Sequence, residues 1–207
     1  MTSNMQPERA RVWGYIVGGL VSVICILILW LPGMEGLKAI GPLNTGHKDF
    51  PCASCHKPTK GIFVRHKKVD NKVCLECHQR NNDLHPTEQF LKPKFAKQRK
   101  LFAPHLCTSC HKQHKGVRVT IETTVCRHCH QDLKPEFDPL TPTHEELAKQ
   151  KRFDTCTRCH DFHGNHIRRR PKRLEDAASV KDIKQYFLGG KDPYSDKKLH
   201  NPKKPKK

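Results

Sequence analysis

The chain has 207 residues, a formal net charge of +19, 11 cysteines and 15 histidines. Such an excess of lysine and arginine indicates an anionic partner or an anionic surface, and nucleic acid is the first class to consider. The three methionines, Met1, Met5 and Met34, all precede the cysteine-rich part of the chain. Methionine is therefore excluded as a metal ligand contributed by that part.

The N-terminal part predicts a membrane anchor. Residues 12–31, VWGYIVGGLVSVICILILWL, carry no charge, and a helix rising about 1.5 Å per residue over this length spans a bilayer core of about 30 Å. Trp13 and Trp30, the only tryptophans, stand at its ends, where aromatic residues meet the membrane interfaces. A cleaved signal peptide is the alternative, but the apolar run is long for one and no A-x-A-like site follows. We predict a cytoplasmic N-terminus (1–11), a transmembrane anchor (12–31) and a Gly/Pro-rich linker (32–46).

Ten of the eleven cysteines fall into five C-x-x-C-H motifs within residues 47–166. This spacing is the signature of covalent c-type haem attachment, because two thiols add to the vinyl groups of one porphyrin and the adjacent histidine reaches the iron. Zinc sites and disulfide frameworks also use cysteine pairs, but neither explains a histidine after every pair. We predict five covalently bound haem c groups, held by these cysteines and proximal histidines: Cys52, Cys55 and His56; Cys74, Cys77 and His78; Cys107, Cys110 and His111; Cys126, Cys129 and His130; Cys156, Cys159 and His160.

Each iron needs a sixth ligand, and histidine is the abundant candidate outside the motifs. Bis-histidine ligation predicts low-spin irons without an open position and reduction potentials below those of His/Met sites. His128, inside the fourth motif, is expected to face solvent. The candidate distal ligands are His47, His66, His105, His114, His144 and His163, with His85 and His166 as second-rank candidates.

The sequence around the motifs is duplicated. CASCHKPTKGIFV at residues 52–64 corresponds to CTSCHKQHKGVRV at 107–119, and each copy ends in a second motif, VCLECHQ or VCRHCHQ. The first copy has Thr59 where the second has His114, and His163 takes the same place in a half-copy, CTRCHDFHG. The alternation of short and long spacings favours pairing motif one with two and three with four, leaving five alone. We predict that His114 serves its own copy and that the first copy uses His66 or His47.

The predicted fold class is mostly α and irregular with little or no sheet. Residues 86–102 have helix-compatible apolar spacing interrupted near Pro93. Thr143 and Glu146 form a capping box that opens a helix over 143–152. The residues from 47 to 166 contain too little apolar sequence to enclose five porphyrins, so the haems are expected to form the core. Residues 167–207 are predicted to be a basic tail with an amphipathic helix over 173–190, and deletion of 191–207 should leave the haem spectra unchanged.

Haem attachment outside an energised membrane places residues 47–166 on the periplasmic side of a bacterial inner membrane, and export excludes nucleic acid as a partner. We predict an electron relay between a membrane donor, quinol or a quinol-oxidising complex, and an acidic periplasmic redox protein or an outer-membrane cytochrome. Anionic lipid headgroups also fit the basic tail. No catalytic residue is predicted.

An anchor followed by a compact string of C-x-x-C-H motifs over residues 12–166 resembles the membrane-anchored NapC/NirT-type cytochromes, and the dense motifs resemble the small bis-histidine class III multihaem cytochromes c. The first resemblance implies quinol oxidation, although this chain has five motifs instead of four. A catalytic reductase of the nitrite or hydroxylamine class is a further alternative. Pentahaem nitrite reductases use a C-x-x-C-K site, whereas all five motifs here end in histidine.

Overall fold

The computed structural model describes residues 7–31, 34, 37, 39–57, 69–79, 83–166, 171–194 and 198–203. The chain divides into two compact units, Met1–Ile40 and Gly41–Lys207. This division falls inside the predicted linker.

The first unit contains helix α1, Pro7–Trp30. Its segment Glu8–Trp30 has a mean hydropathy of 2.5, and its side chains are exposed. Among the described residues, it is the one helix long and apolar enough to cross a membrane by length and composition. A signal sequence would have the same two properties.

The second unit is built from short helices joined by irregular backbone. The α-helices described in it are α2 (Asn71–Leu75), α3 (Ala96–Phe102), α4 (Cys107–Cys110), α5 (His144–Lys149), α6 (Cys156–Cys159) and α7 (Val180–Phe187). Single 3-10 turns cover Cys52–Ser54, Thr87–Leu91, Pro93–Phe95, Gln113–Lys115, Val125–His128, Phe153–Thr155 and Leu174–Asp176. Within the described ranges, strand-like pairing is limited to two isolated bridges, Thr141 with Arg173 and His166 with Lys198. The predicted fold class is confirmed.

The local helix signals act where the sequence places them. The Thr143 hydroxyl accepts the N–H of Glu146 at 3.2 Å, and the Glu146 carboxylate accepts the N–H of Thr143 at 2.8 Å, so the capping box opens α5. Pro93 separates the turn Thr87–Leu91 from α3, as predicted. Helix α7 is shorter than predicted, because it begins only after Ser179, whose hydroxyl accepts the N–H of Asp182 at 3.0 Å.

The buried apolar core of the second unit is small. Its members in the described ranges are Phe90, Leu140, Leu147, Phe153, Leu174 and Ile183. Three of them, Leu140, Leu147 and Leu174, form one cluster. A domain of this length ordinarily needs a larger core or covalent cross-links to fold. The small core therefore supports the expectation that bound groups complete the interior.

The C-terminal segment expected to be a tail packs against the rest of the second unit. Ile183 of α7 is fully buried, and Arg118 donates to the carbonyl oxygen of Tyr186 at 2.6 Å. Further on, the N–H of Lys203 donates to the carbonyl oxygen of Cys77 at 3.0 Å. Because Lys203 contacts a motif cysteine directly, removal of residues 191–207 is no longer expected to leave the motifs unaffected.

Candidate functional site

Each C-x-x-C-H motif forms one tight turn. In all five, the backbone N–H of the histidine donates to the carbonyl oxygen of the first cysteine. The N···O distances are 2.9 Å for His56, 3.0 Å for His78, 3.0 Å for His111, 2.9 Å for His130 and 2.9 Å for His160. The same backbone turn thus presents two thiols and one imidazole at every motif.

A second histidine lies opposite each motif histidine. The five pairs, with their ring-centroid distances, are His56 with His114 at 6.2 Å, His78 with His47 at 5.8 Å, His111 with His163 at 6.2 Å, His130 with His85 at 6.0 Å, and His160 with His144 at 6.2 Å. The narrow spread of these distances across five unrelated sequence separations indicates a common function for the pairs.

These distances fit a metal held between two imidazoles. A metal–nitrogen distance of about 2.0 Å on each side, together with the half-widths of two rings, places trans imidazole centroids roughly 6 Å apart. The pairs also lie at the motifs whose cysteines would bind one porphyrin each. In the described residues, no group of three or more His, Cys, Asp and Glu side chains is arranged around a metal position. The donor set is therefore a set of histidine pairs, which fits haem iron.

The Nδ1 atom of every opposing histidine is hydrogen-bonded. The acceptors are Gly41 O for His114 at 3.2 Å, Gln113 Oε1 for His47 at 2.5 Å, Asp83 Oδ2 for His163 at 2.9 Å, Phe162 O for His85 at 2.6 Å, and Asp138 Oδ1 for His144 at 2.9 Å. An imidazole that donates through Nδ1 directs its Nε2 lone pair away from that acceptor, and this hydrogen bond fixes the tautomer of metal-bound histidines.

Four of the six first-rank candidates for the distal position lie opposite a motif histidine: His47, His114, His144 and His163. His66 lies outside the described residues. His105 is not in any of the five pairs, and its Nδ1 is buried without a hydrogen-bond partner among the described residues. His128 is half-buried and its ring lies 5.4 Å from that of Phe102, so it is less solvent-facing than expected.

The two second-rank candidates differ. His85 lies opposite His130, whereas both ring nitrogens of His166 are occupied at 2.7 Å, by Asp161 and by Asp192. Asp83 stands two residues before His85 and accepts its N–H at 2.9 Å, a local turn that Asp commonly makes. Such a turn occurs at many surface positions and does not mark a histidine as a ligand.

His114 does not face the histidines of its own copy. It lies opposite His56 of the first copy, and His163 of the half-copy lies opposite His111 of the second copy. In each C-x-x-C-H-x-x-H segment, the last histidine thus lies opposite the histidine of the motif two places earlier in the chain. Sequence reasoning missed this exchange because a repeat alone does not show which copies touch.

Neighbouring motifs also touch one another. Helix α2, which contains Cys74, contacts helix α4, which contains Cys107. The turn Val125–His128, which contains Cys126, contacts the turn Phe153–Thr155, which immediately precedes Cys156. These contacts join motif two to three and motif four to five. Asn71 reinforces the first junction, because its side chain accepts the N–H of Cys107 at 3.0 Å and donates to the His105 carbonyl oxygen at 2.7 Å.

Burial and hydrogen bonding perturb several titratable groups. Burial, and then the neighbouring charge of His85, lower the pKa of His130, which favours the neutral imidazole that metals bind. Burial raises the pKa of the Cys110 thiol. Burial also opposes ionisation of Asp138, but hydrogen bonds from the His144 side chain and from the N–H groups of His144 and Leu140 outweigh it and hold the pKa of that carboxyl below its usual range.

Comparison with known proteins adds a family match. Residues 46–131 match the family model of cytochrome c3. This range includes the first four motifs and ends before the fifth. No curated protein and no solved structure gives a significant match to the chain. The family match supports a multihaem c-type cytochrome with covalently bound haem c and a role in electron transfer.

Proposed function

We propose that the protein is a membrane-tethered, periplasm-facing c-type cytochrome that relays electrons through five haem c groups, each bound by two histidines. The observation that carries the proposal is the set of five histidine pairs at 5.8–6.2 Å, each with one motif histidine. The family match extends over four of the five motifs, and the fifth has the same turn and the same pairing.

The bound haems supply reversible one-electron chemistry at iron. Each motif would hold one porphyrin through thioethers of its two cysteines, with the motif histidine as a ligand from the same turn. The opposing histidine is oriented by its Nδ1 hydrogen bond, which would leave Nε2 to bind the iron. With two imidazole ligands at each site, these residues favour an electron carrier over a catalyst that needs an open position.

Contacts between successive sites support a relay. Helix α2 of motif two contacts helix α4 of motif three, and the turn of motif four contacts the turn that precedes motif five. Between motifs three and four, the ring of Phe162 stacks on His85 with centroids 4.3 Å apart and meets His163 at 5.2 Å. Short separations between neighbouring ligands make transfer between sites fast, because electron tunnelling falls steeply with distance.

The apolar helix α1 supports tethering, and the membrane donor in the proposal is quinol or a quinol-oxidising complex. The net charge of +19 supports an acidic redox protein or an outer-membrane cytochrome as acceptor, and anionic lipid headgroups as a second contact. Attraction between exposed charges is screened by salt. Association with an acidic acceptor should therefore weaken as ionic strength rises.

The test uses the full chain purified in detergent. Intact mass should exceed that of the polypeptide by five haems with α1 retained, and the reduced protein should not bind carbon monoxide. Zinc instead of haem, or fewer haems, would overturn the cofactor assignment, and a chain cleaved after α1 would overturn the tether. Direct reduction by a quinol analogue would identify a quinol dehydrogenase, whereas a high-spin signal and carbon monoxide binding would identify a reductase.

A further inference from the structure

The five opposing histidines differ in the charge of their Nδ1 acceptor. Three donate to neutral oxygens: His114 to Gly41, His47 to Gln113 and His85 to Phe162. Two donate to carboxylates: His163 to Asp83 and His144 to Asp138, each at 2.9 Å. The carboxylate partners belong to the sites of the third and fifth motifs, since these histidines lie opposite His111 and His160.

Both carboxylates are shielded from solvent and held in place. The side chain of Asp83 is 17% exposed and that of Asp138 is 11% exposed. The second oxygen of Asp83 accepts the N–H of His85 at 2.9 Å. Asp138 accepts the N–H of Leu140 at 3.1 Å and that of His144 at 2.5 Å. Backbone donors thus aim each carboxylate at its imidazole.

A carboxylate on Nδ1 changes what Nε2 offers to the metal. It draws the Nδ1 proton toward itself, which raises the electron density and basicity of the ring. A more basic ligand stabilises ferric over ferrous iron, and a fixed negative charge nearby acts in the same direction. Both effects are larger where solvent screening is weak.

We propose that Asp83 and Asp138 are positioning residues that make the third and fifth iron sites the low-potential members of the five, while the three sites with neutral acceptors are reduced first. The proposal rests on the bis-histidine ligation proposed above. Each site takes up one electron without forming or breaking a bond, and the Nδ1 proton stays between imidazole and carboxylate. From the second motif to the fifth, sites of higher and lower potential then alternate along the chain.

The test is spectroelectrochemistry of the full holoprotein, with dithionite as reductant and ferricyanide as oxidant. Asp83→Asn and Asp138→Asn keep the size of the acceptor and remove its charge. Each should raise the potential of one component, with about a tenfold change in the ferrous-to-ferric ratio at a fixed applied potential. The reverse variant, Gln113→Glu, places a carboxylate on His47 and should lower the potential of the second site.

Low-temperature electron paramagnetic resonance identifies the affected site. The imidazole planes are 22° apart for His111 and His163 and 90° apart for His85 and His130. Nearly parallel planes split the iron orbitals and give a rhombic signal, whereas perpendicular planes leave the orbitals nearly degenerate and give a highly anisotropic one. Asp83→Asn should change the rhombic component and leave the most anisotropic one in place.

Asp132→Asn is the matched control, because it also removes one negative charge, from an exposed carboxylate. Equal shifts in this control and in the Asp83 and Asp138 variants would overturn the proposal in favour of a general charge effect. The proposal would also be overturned if Asp83→Asn, Asp138→Asn and Gln113→Glu all keep low-spin haems and show unchanged reduction potentials. If the aspartate variants lose haem, the Gln113→Glu variant decides alone. Absence of a downward shift in the potential of its second site would then contradict the proposal. If the unmutated protein shows no low-spin signals, the bis-histidine ligation itself is contradicted.

Discussion

The two copies of the repeated segment, residues 52–79 and 107–131, share their motif turns but differ in what they give to each other. The second copy extends His114 to a position opposite His56 of the first. In the corresponding place the first copy has Thr59, which lies outside the described residues. The half-copy that follows extends His163 toward His111 of the second copy. Among the three corresponding segments, at motifs one, three and five, the histidine is present in the two that have an earlier corresponding segment.

This difference indicates that the repeat is a device for joining copies. In the proposed function, a segment that holds one porphyrin through its cysteines would also supply a ligand to an earlier one, so each iron position would cross-link two distant parts of the chain. Such links would constrain the unfolded chain and compensate for a small apolar core. The first copy starts the series, because no earlier motif exists for its phrase to reach.

The largest expected effect comes from removing two opposing histidines at once. In the structure, His144 faces the fifth motif and His163 faces the third. His144→Ala combined with His163→Ala should therefore convert two low-spin irons to forms that bind carbon monoxide, with five haems still attached. If His163 served its own phrase, both histidines would compete for one iron and only one would convert. Counting carbon monoxide bound per chain separates the two outcomes.

A single substitution should affect one site. His114→Ala removes the histidine opposite His56, so one iron should become high-spin or water-ligated and bind carbon monoxide. Covalent attachment does not depend on the sixth ligand, so the intact mass should show five haems. His128→Ala is the control within the same copy. The ring of His128 packs on Phe102 and does not face a motif histidine in any of the five pairs. If all irons stay low-spin in the His114→Ala variant, His114 has no ligand role.

A smaller effect is expected at the hydrogen bond that holds His114. Gly41 has φ of 155°, and a Cβ atom added there would lie 2.5 Å from the His114 carbonyl oxygen. Gly41→Ala should therefore displace His114 and loosen its hold on the first site, giving a partial high-spin fraction. Gly46→Ala is the matched control in the same segment, because no atom lies within 4 Å of its added Cβ. Equal spectra in the two variants would show that Gly41 does not position the ligand.

The sequence predicted the parts of this molecule that depend on local chemistry. The start of α5 follows from Thr143 and Glu146, and the break before α3 from Pro93. It did not predict which histidine faces which motif, because that depends on contacts between distant segments. For this reason, sequence reasoning placed His85 in the second rank, although it lies opposite His130. The packing of α7 was also missed, since Ile183 is buried within an otherwise basic segment whose charge suggested a solvated tail.

The smallest expected effect is the most direct test of the comparison between the copies. Thr59→His gives the first copy the histidine that the second has, but the chain contains no motif two places earlier for it to reach. The number of low-spin irons, the carbon monoxide binding and the haem count should therefore stay as in the unmutated protein. The reciprocal variant, His114→Thr, should expose one iron, and the double exchange, Thr59→His with His114→Thr, should not restore it. Restoration in the double variant would mean that a histidine at position 59 can reach His56 within its own copy. The exchange of ligands between copies would then be a consequence of where histidines happen to lie rather than a requirement of the fold.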